Sequence, residues 1–129
     1  MPRVNEEVTQ NAGLTAYLHS LVCEHPDFEV LCLPIAEFYC FRYVPNGLAE
    51  HKDQLEVRQL LDRLNAEIVE GAQSEGPALV TRMYIDSQVA ICIWLSSDST
   101  VREDVDATFE VVARWGRLCS KKHLSSVVN

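Results

Sequence analysis

Residues 39–72, YCFRYVPNGLAEHKDQLEVRQLLDRLNAEIVEGA, contain the signals that decide the fold. The aromatic residues at the start predict a strand over residues 38–44. Pro45, Asn46 and Gly47 form a turn signal. The strongest helical pattern of the chain follows over residues 51–73, with five apolar side chains on one stripe: Val57, Leu60, Leu61, Leu64 and Ile68. This stretch therefore predicts a strand, a turn and an amphipathic helix.

The flanking sequence predicts two further helices and three further strands. The N-terminal side predicts a helix over residues 6–24, ended by Pro26, and a strand over 28–33. The C-terminal side predicts strands over 78–85 and 89–95, joined by a hairpin at 86–88 that lacks the glycine a tight primed turn favours. A capping box at 100–103 precedes a last helix that we expect to end near Lys121, leaving the tail HLSSVVN loose.

The order of these elements defines the predicted fold class. We expect an α+β fold, a small antiparallel sheet of about four strands with three helices packed mainly on one face. No linker, repeat or low-complexity segment interrupts the pattern. We therefore expect residues 1–129 to form a single domain.

The charge of the chain excludes several classes of partner. The 129 residues carry a net charge of −8, and an acidic surface repels phosphate backbones and anionic lipid. The first ten residues lack the apolar region of a signal peptide, and no apolar run approaches the ~20 residues needed to span a bilayer. We expect a cytoplasmic protein with neither nucleic acid nor membrane as a partner.

The cysteines and histidines show no ligand spacing. The cysteines form no CxxC pair and lie mostly in apolar runs, which is typical of buried, reduced thiols: Cys23, Cys32, Cys40, Cys92 and Cys119. The histidines are equally scattered: His19, His25, His51 and His123. The sequence therefore predicts no metal site.

No catalytic constellation or cofactor-binding motif emerges from the residues alone, and no substrate-binding residue can be named. Gly-rich phosphate loops, the GxSxG elbow and the HExxH helix are all missing. The carboxylate pairs Asp104/Asp106 and Glu6/Glu7 occupy helix positions typical of solvated surfaces. His51 fits a surface residue better than a base.

Two strand residues leave alternatives open. Arg42 lies between aromatic residues and needs either a structural partner or a role at an interface. Cys92 lies between isoleucines, which favours packing over nucleophilic or redox chemistry, because a reactive thiolate needs a nearby cation or helix N-terminus.

The segment Cys40-Phe41-Arg42-Tyr43 with Pro45, followed on the helix by Leu64-Asn65, resembles the C-terminal small domain of group II pyridoxal-phosphate (PLP) amino-acid decarboxylases. That family includes glutamate, aromatic amino-acid, diaminobutyrate and cysteine-sulfinate decarboxylases. The resemblance extends over about residues 14–118. It implies that the Schiff-base lysine and the PLP pocket belong to a large domain outside this sequence, so we expect no cofactor in this chain and no activity from it alone.

Two departures from the family pattern concern the substrate. The resemblance implies an arginine on the second hairpin strand that binds the substrate carboxylate, whereas Ile91-Cys92 occupies that place here. A cysteine cannot make the bidentate contact of an arginine. Arg82, on the facing strand, is a candidate substitute, and a pocket lined by Arg82 and Cys92 in an isolated dimer would favour a ligand-binding role. The family's hairpin glycine is also missing.

Four hypotheses about function follow, the last of which is a small enzyme that uses Cys92 or His51. The first is a non-catalytic homologue of this domain that docks on a PLP-binding large-domain protein or forms a homodimer. Its candidate surface is aromatic, with ordinary core packing as the alternative: Phe38, Tyr39, Phe41, Tyr43 and Trp94. The second is a part or subunit of an active decarboxylase. The third is a domain that binds a small metabolite.

Overall fold

A four-stranded antiparallel sheet and three α-helices make up the computed structural model, which confirms the predicted α+β fold class. The structure describes residues 2–31, 38–45, 48–51, 53–75, 80–95 and 102–128. Within these ranges, it describes side chains from residue 13 to residue 123, except that of residue 49.

The helices and strands occur in the predicted order. They are α1 (Pro2–Glu24), β1 (Phe28–Val30), β2 (Phe38–Tyr43), a 3₁₀ turn (Ala49–His51), α2 (Leu55–Glu75), β3 (Val80–Ile85), β4 (Gln88–Trp94) and α3 (Arg102–Val128). The N-terminal helix begins four residues earlier than predicted, and α2 begins only after the 3₁₀ turn. The predicted capping box starts outside the described residues, as do the end of the first predicted strand and the start of the third.

The C-terminal tail corrects one expectation. The sequence predicted a loose segment after Lys121, but α3 continues to Val128. Lys122 and His123 both contact the carboxylate of Glu67 on α2, and these contacts hold the last turns of α3 against its neighbour. The prediction failed because the anchoring partner is more than fifty residues away in the sequence.

The strand order of the sheet is β1-β2-β4-β3, with every neighbouring pair antiparallel. The hairpin joining β3 to β4 is tighter than predicted, since Ile85 pairs with Gln88 and only Asp86 and Ser87 form the turn. Both turn residues have positive φ, 52° and 66°, as a type I′ turn requires. Aspartate tolerates this conformation better than most residues, so the primed turn forms without glycine.

All three helices pack on one face of the sheet. The side chains of this covered face are almost fully buried among apolar residues of the helices, and from β2 and β4 they are Tyr39, Phe41, Tyr43, Ile91 and Ile93. Phe109 of α3 contacts the rings of Phe28 and Phe41. A Cβ at position 116 would lie 2.8 Å from the ring of Tyr43, so Gly116 permits the close approach of α3 to β2.

The alternation of side chains along each strand identifies the residues on the opposite face of the sheet. We call it the helix-free face and define it by nine residues: Glu29, Phe38, Cys40, Arg42, Thr81, Met83, Ala90, Cys92 and Trp94. Its small central residues are buried, and Trp94 at its edge is 36% exposed.

Candidate functional site

The structure gives a physical reason for the joint occurrence of the CFRY and LN segments. Asn65 of α2 is fully buried, and its side chain accepts a hydrogen bond from the backbone N–H of Tyr43 (2.7 Å). The same side chain donates to the carbonyl oxygens of Tyr43 (3.0 Å) and Leu61 (2.8 Å). Asn65 therefore ties the end of β2 to the middle of α2.

This contact replaces hydrogen bonds that the sheet would otherwise make. The β2–β4 register, continued by two residues, would place Tyr43 opposite Val89, but the pairing of the two strands ends at Phe41 and Ile91. The N–H of Val89 instead donates to the carboxylate of Asp62 on α2 at 3.0 Å. Two polar side chains of one helix thus satisfy backbone groups on two strands, which explains a buried asparagine within an apolar stripe.

The rim of the helix-free face is aromatic. Phe38 and Trp94 are direct cross-strand partners, and their ring centroids are 4.9 Å apart. The indole N–H of Trp94 donates to the hydroxyl of Thr81 on the neighbouring strand at 3.1 Å. These contacts hold a large, partly exposed ring in one orientation, as is typical of aromatic anchors at protein interfaces.

Arg42 is the most unusual residue of this face. Its side chain is only 2% exposed, and its Nε lies 3.7 Å from a carboxylate oxygen of Glu29. Within the described part of the chain, neither Nε nor Nη1 has a hydrogen-bond partner. Burying an ionised group with unmet hydrogen bonds is costly. The predicted structural partner for Arg42 therefore exists, but it satisfies the guanidinium incompletely.

Sulfur atoms occupy the centre of the helix-free face. Cys40 and Cys92 are direct cross-strand partners and are 1% and 0% exposed. The sulfur of Cys40 also lies 3.9 Å from that of Met83 on β3. Cys92 is buried, as predicted, and so are Cys40 and Cys119. Cys23 differs from the expectation of buried thiols, since it is exposed on α1.

The predicted aromatic surface was wrong for three of its five residues. Tyr39, Phe41 and Tyr43 lie on the covered face and form part of the core, which was the alternative that the sequence left open. Because β2 alternates its side chains, Phe38 lies on the other face, together with Trp94 of β4. The structure thus reduces the aromatic surface to Phe38 and Trp94.

Within the chain, Arg82 and Cys92 do not face a common pocket. Arg82 pairs directly with Ile91, whose side chain is in the core, so Arg82 and Cys92 point to opposite faces of the sheet. Arg82 is exposed at the edge strand and lies 5.9 Å from the ring centroid of Tyr84. The two residues cannot line one pocket, which removes the specific support for a metabolite site there.

The remaining polar candidates lie at the surface. Asp104 and Asp106 are both exposed on α3, as predicted, and Asp106 accepts a hydrogen bond from the Tyr17 hydroxyl. This hydrogen bond raises the pKa of Tyr17. His51 is exposed in the 3₁₀ turn, beside Gln54. Glu6 and Glu7 lie on α1, but their side chains are outside the described set.

A polar cluster between α2 and α3 was not expected from the sequence. Glu67 contacts His123 and, at 3.7 Å, Lys122. Burial raises the pKa of the Glu67 carboxyl, but hydrogen bonds and charge from His123 and Lys122 outweigh this effect, so the pKa is lowered. Nearby, burial raises the pKa of the Cys119 thiol, which makes it a poor nucleophile. The cluster holds two helices together, and only the spacing of four residues between Cys119 and His123 indicated a shared face of α3.

The described residues form neither a metal site nor a membrane-spanning helix. No group of three or more His, Cys, Asp or Glu side chains there is arranged to hold a metal ion. None of the helices in the described ranges is long and apolar enough to cross a membrane.

The fold is similar to part of several solved structures. The chain matches mouse CSAD in its apo form with a TM-score of 0.74 and 18% identity, over 86% of this chain and 24% of that one. It matches Oryza sativa TDC with PLP with a TM-score of 0.75 and 19% identity, over 90% of this chain and 24% of that one. The glutamate decarboxylase domain of a diaminobutyrate-pyruvate transaminase and L-2,4-diaminobutyrate decarboxylase from Vibrio parahaemolyticus matches with a TM-score of 0.66 and 15% identity, over 86% and 22%.

These matches confirm at the level of the fold the resemblance to PLP decarboxylases. The chain spans about a quarter of the length of the solved structures it matches, which is consistent with a C-terminal domain of a larger enzyme. No family model matches the sequence, and no curated protein does. The class that the fold defines is therefore a decarboxylase-like small α+β domain.

Proposed function

We propose that this chain is a non-catalytic homologue of the decarboxylase C-terminal domain that docks, through its helix-free face, on a PLP-binding large-domain protein. The observation that carries the proposal is the contrast between the two faces of the sheet. Three helices bury one face, whereas the other combines an aromatic rim with a buried arginine, two of whose nitrogens have no hydrogen-bond partner among the described residues.

The composition of the helix-free face supports a protein partner. Interface centres are enriched in tryptophan, phenylalanine, methionine and arginine. Trp94, Phe38, Met83 and Arg42 represent all four types within three neighbouring strands.

The size of the chain supports a larger partner. The matched decarboxylases are about four times as long as the aligned region, so an equivalent domain in them has the rest of an enzyme as its neighbour. This comparison favours a large-domain protein over a short peptide as the partner.

The residues of this chain do not fit a PLP site of its own. A PLP enzyme needs a lysine to hold the cofactor as a Schiff base. The sequence has three lysines, and Lys121 and Lys122 are exposed on α3, away from the sheet, while Lys52 is outside the described residues. No described residue of the helix-free face is a lysine. We therefore assign any PLP chemistry to the partner.

The test is co-expression with a PLP-binding large-domain protein from the same genome, chosen because it lacks a C-terminal domain of this type. We expect the two chains to co-elute in a discrete complex by size-exclusion chromatography with light scattering. Schiff-base absorbance should follow the partner and be absent from this chain when it is purified alone and mixed with PLP.

Matched variants locate the interface. Trp94→Glu should abolish co-elution, because it places a charge on the aromatic rim. Tyr84→Glu is the control, since Tyr84 is a large aromatic residue that is 66% exposed on the same sheet but outside the helix-free face. Co-elution that survives Trp94→Glu, or that both variants abolish equally, would contradict docking through this face. A homodimer of the isolated chain that Trp94→Glu dissociates would favour self-association, and Schiff-base absorbance from the chain alone would restore an enzymatic role.

A further inference from the structure

Two thiols face each other at the centre of the helix-free face. Cys40 of β2 and Cys92 of β4 are direct partners in the antiparallel register. Both are thiols, and each is at most 1% exposed. Their neighbours on this face keep the two strands in register, since Phe38 pairs with Trp94 on one side of them.

The hydrogen bonds of β2 show which kind of cross-strand pair this is. The N–H and C=O groups of one residue in a strand point to the same side, and the carbonyl of Cys40 accepts from the N–H of Leu31, next to β1, at 3.2 Å. Cys40 therefore directs its backbone groups away from β4. It follows that Cys40 and Cys92 form a non-hydrogen-bonded pair.

That position brings side chains closest together. Partner Cα atoms in a non-hydrogen-bonded antiparallel pair are about 4.5 Å apart, compared with about 5.5 Å in a hydrogen-bonded pair. A disulfide requires a Cα separation of about 4.4–6.8 Å. The register of β2 and β4 thus places the Cα atoms of Cys40 and Cys92 within the range for a covalent link.

We infer that Cys40 and Cys92 are a dithiol modification site that a peroxide converts to an intramolecular disulfide. One thiol sulfur attacks the O–O bond of hydrogen peroxide, which forms a sulfenic acid and releases water. The second thiol sulfur then attacks the sulfenic sulfur, so the S–S bond forms, the S–O bond breaks and a second water leaves. The two sulfurs lose two electrons, and the peroxide oxygens gain them.

The other described cysteines lack this arrangement. Cys23 lies on α1 and Cys119 on α3, and both helices pack on the covered face of the sheet. The site rests on the geometry of the chain alone and stands whether or not the helix-free face docks on a partner.

The test is mass spectrometry of the purified full chain after hydrogen peroxide treatment and alkylation of the remaining thiols. We expect a monomer that is lighter than the fully alkylated protein by two alkyl groups, a difference that reduction with dithiothreitol followed by a second alkylation should remove. Trypsin should leave a disulfide-linked pair of peptides, one of which contains Cys92.

Trypsin cannot cleave between Arg3 and Arg42, so Cys23, Cys32 and Cys40 stay on one peptide. Variants are therefore needed to identify which of them is linked to Cys92. Cys40→Ala and Cys92→Ala should each abolish the link. Cys119→Ala, another buried cysteine, is the matched control and should retain it. Circular dichroism of each variant checks that the fold persists.

Three results would overturn the inference. They are a link that survives Cys40→Ala, sulfinic acid on Cys40 or Cys92 in place of a link, and no link after the exposed Cys23 has fully reacted.

Discussion

The two faces of strand β2 differ although their residues alternate along one short segment. Tyr39, Phe41 and Tyr43 point into a core of helices, where every ring has apolar neighbours. Cys40 and Arg42, from the same strand, are buried equally well, but Arg42 has two nitrogens without a hydrogen-bond partner among the described residues. Burial therefore stabilises the fold on one face and costs free energy on the other.

The residues of the covered face therefore stabilise the fold, whereas the stability of the fold does not explain the presence of Arg42 on the helix-free face. The covered face needs only hydrophobic residues of suitable size and shape. On the helix-free face, a hydrophobic residue of similar size should replace Arg42 without lowering the free energy of unfolding of the isolated chain. Substitutions on the sheet and on α2 test this contrast.

Phe41→Ala should lower the free energy of unfolding by about 3–5 kcal/mol, because it opens a cavity beneath α1 and α3. Urea denaturation followed by circular dichroism measures the change. Trp94→Ala, on the helix-free face, should cost less than half as much, since Trp94 is 36% exposed. Equal losses would remove the distinction between the two faces.

Asn65→Ala should lower the free energy of unfolding by about 2–4 kcal/mol. The substitution leaves the backbone N–H and C=O of Tyr43 buried without a partner, and each such group costs about 1–3 kcal/mol. Gln73→Ala is the control, because the Gln73 side chain also donates to a backbone carbonyl, that of Val80, but is exposed to water. If Asn65→Ala costs no more than the control, Asn65 does not tie β2 to α2 as described.

Arg42→Met should leave the free energy of unfolding unchanged or raise it by up to about 2 kcal/mol, because it removes a buried charge with unmet hydrogen bonds. Glu29→Gln should lower it instead, since the guanidinium would lose its nearby carboxylate. Chemical denaturation of both variants gives the signs. A loss of more than about 2 kcal/mol for Arg42→Met would show that the guanidinium is well satisfied.

Glu67→Gln should reduce the free energy of unfolding that the protein loses on acidification. The reduction should be less than about 1 kcal/mol, because this carboxylate is partly exposed. The pKa of Glu67 is lowered in the folded state, so its stabilising contribution is present above the usual carboxyl pKa and disappears as the pH falls through the folded value. Urea midpoints measured from about pH 6 to pH 2.5 should fall less steeply in the variant than in the wild type. Glu70→Gln, an exposed carboxylate on the same helix, controls for the change in net charge.

The sequence predicted the order and type of every helix and strand that the structure describes. Local signals suffice for this, because alternating apolar residues favour a strand and the stripe from Val57 to Ile68 favours a helix. It failed at the end of α3, where the helix is held by Glu67 of a different helix. It also failed at the aromatic surface, because alternation alone does not say which face of a strand the helices will cover.

Local sequence patterns were enough to predict the α+β architecture and the resemblance of the CFRY and LN segments to decarboxylase domains, and they contain no recognisable catalytic motif. The folded chain was needed to show which face of the sheet is covered, that Asn65 satisfies the backbone of Tyr43, that Arg82 and Cys92 lie on opposite faces, and that Cys40 and Cys92 are cross-strand partners. The physical reason is distance along the chain. Periodicity and capping act within one element, whereas register and the choice of covered face depend on contacts between residues that are tens of positions apart.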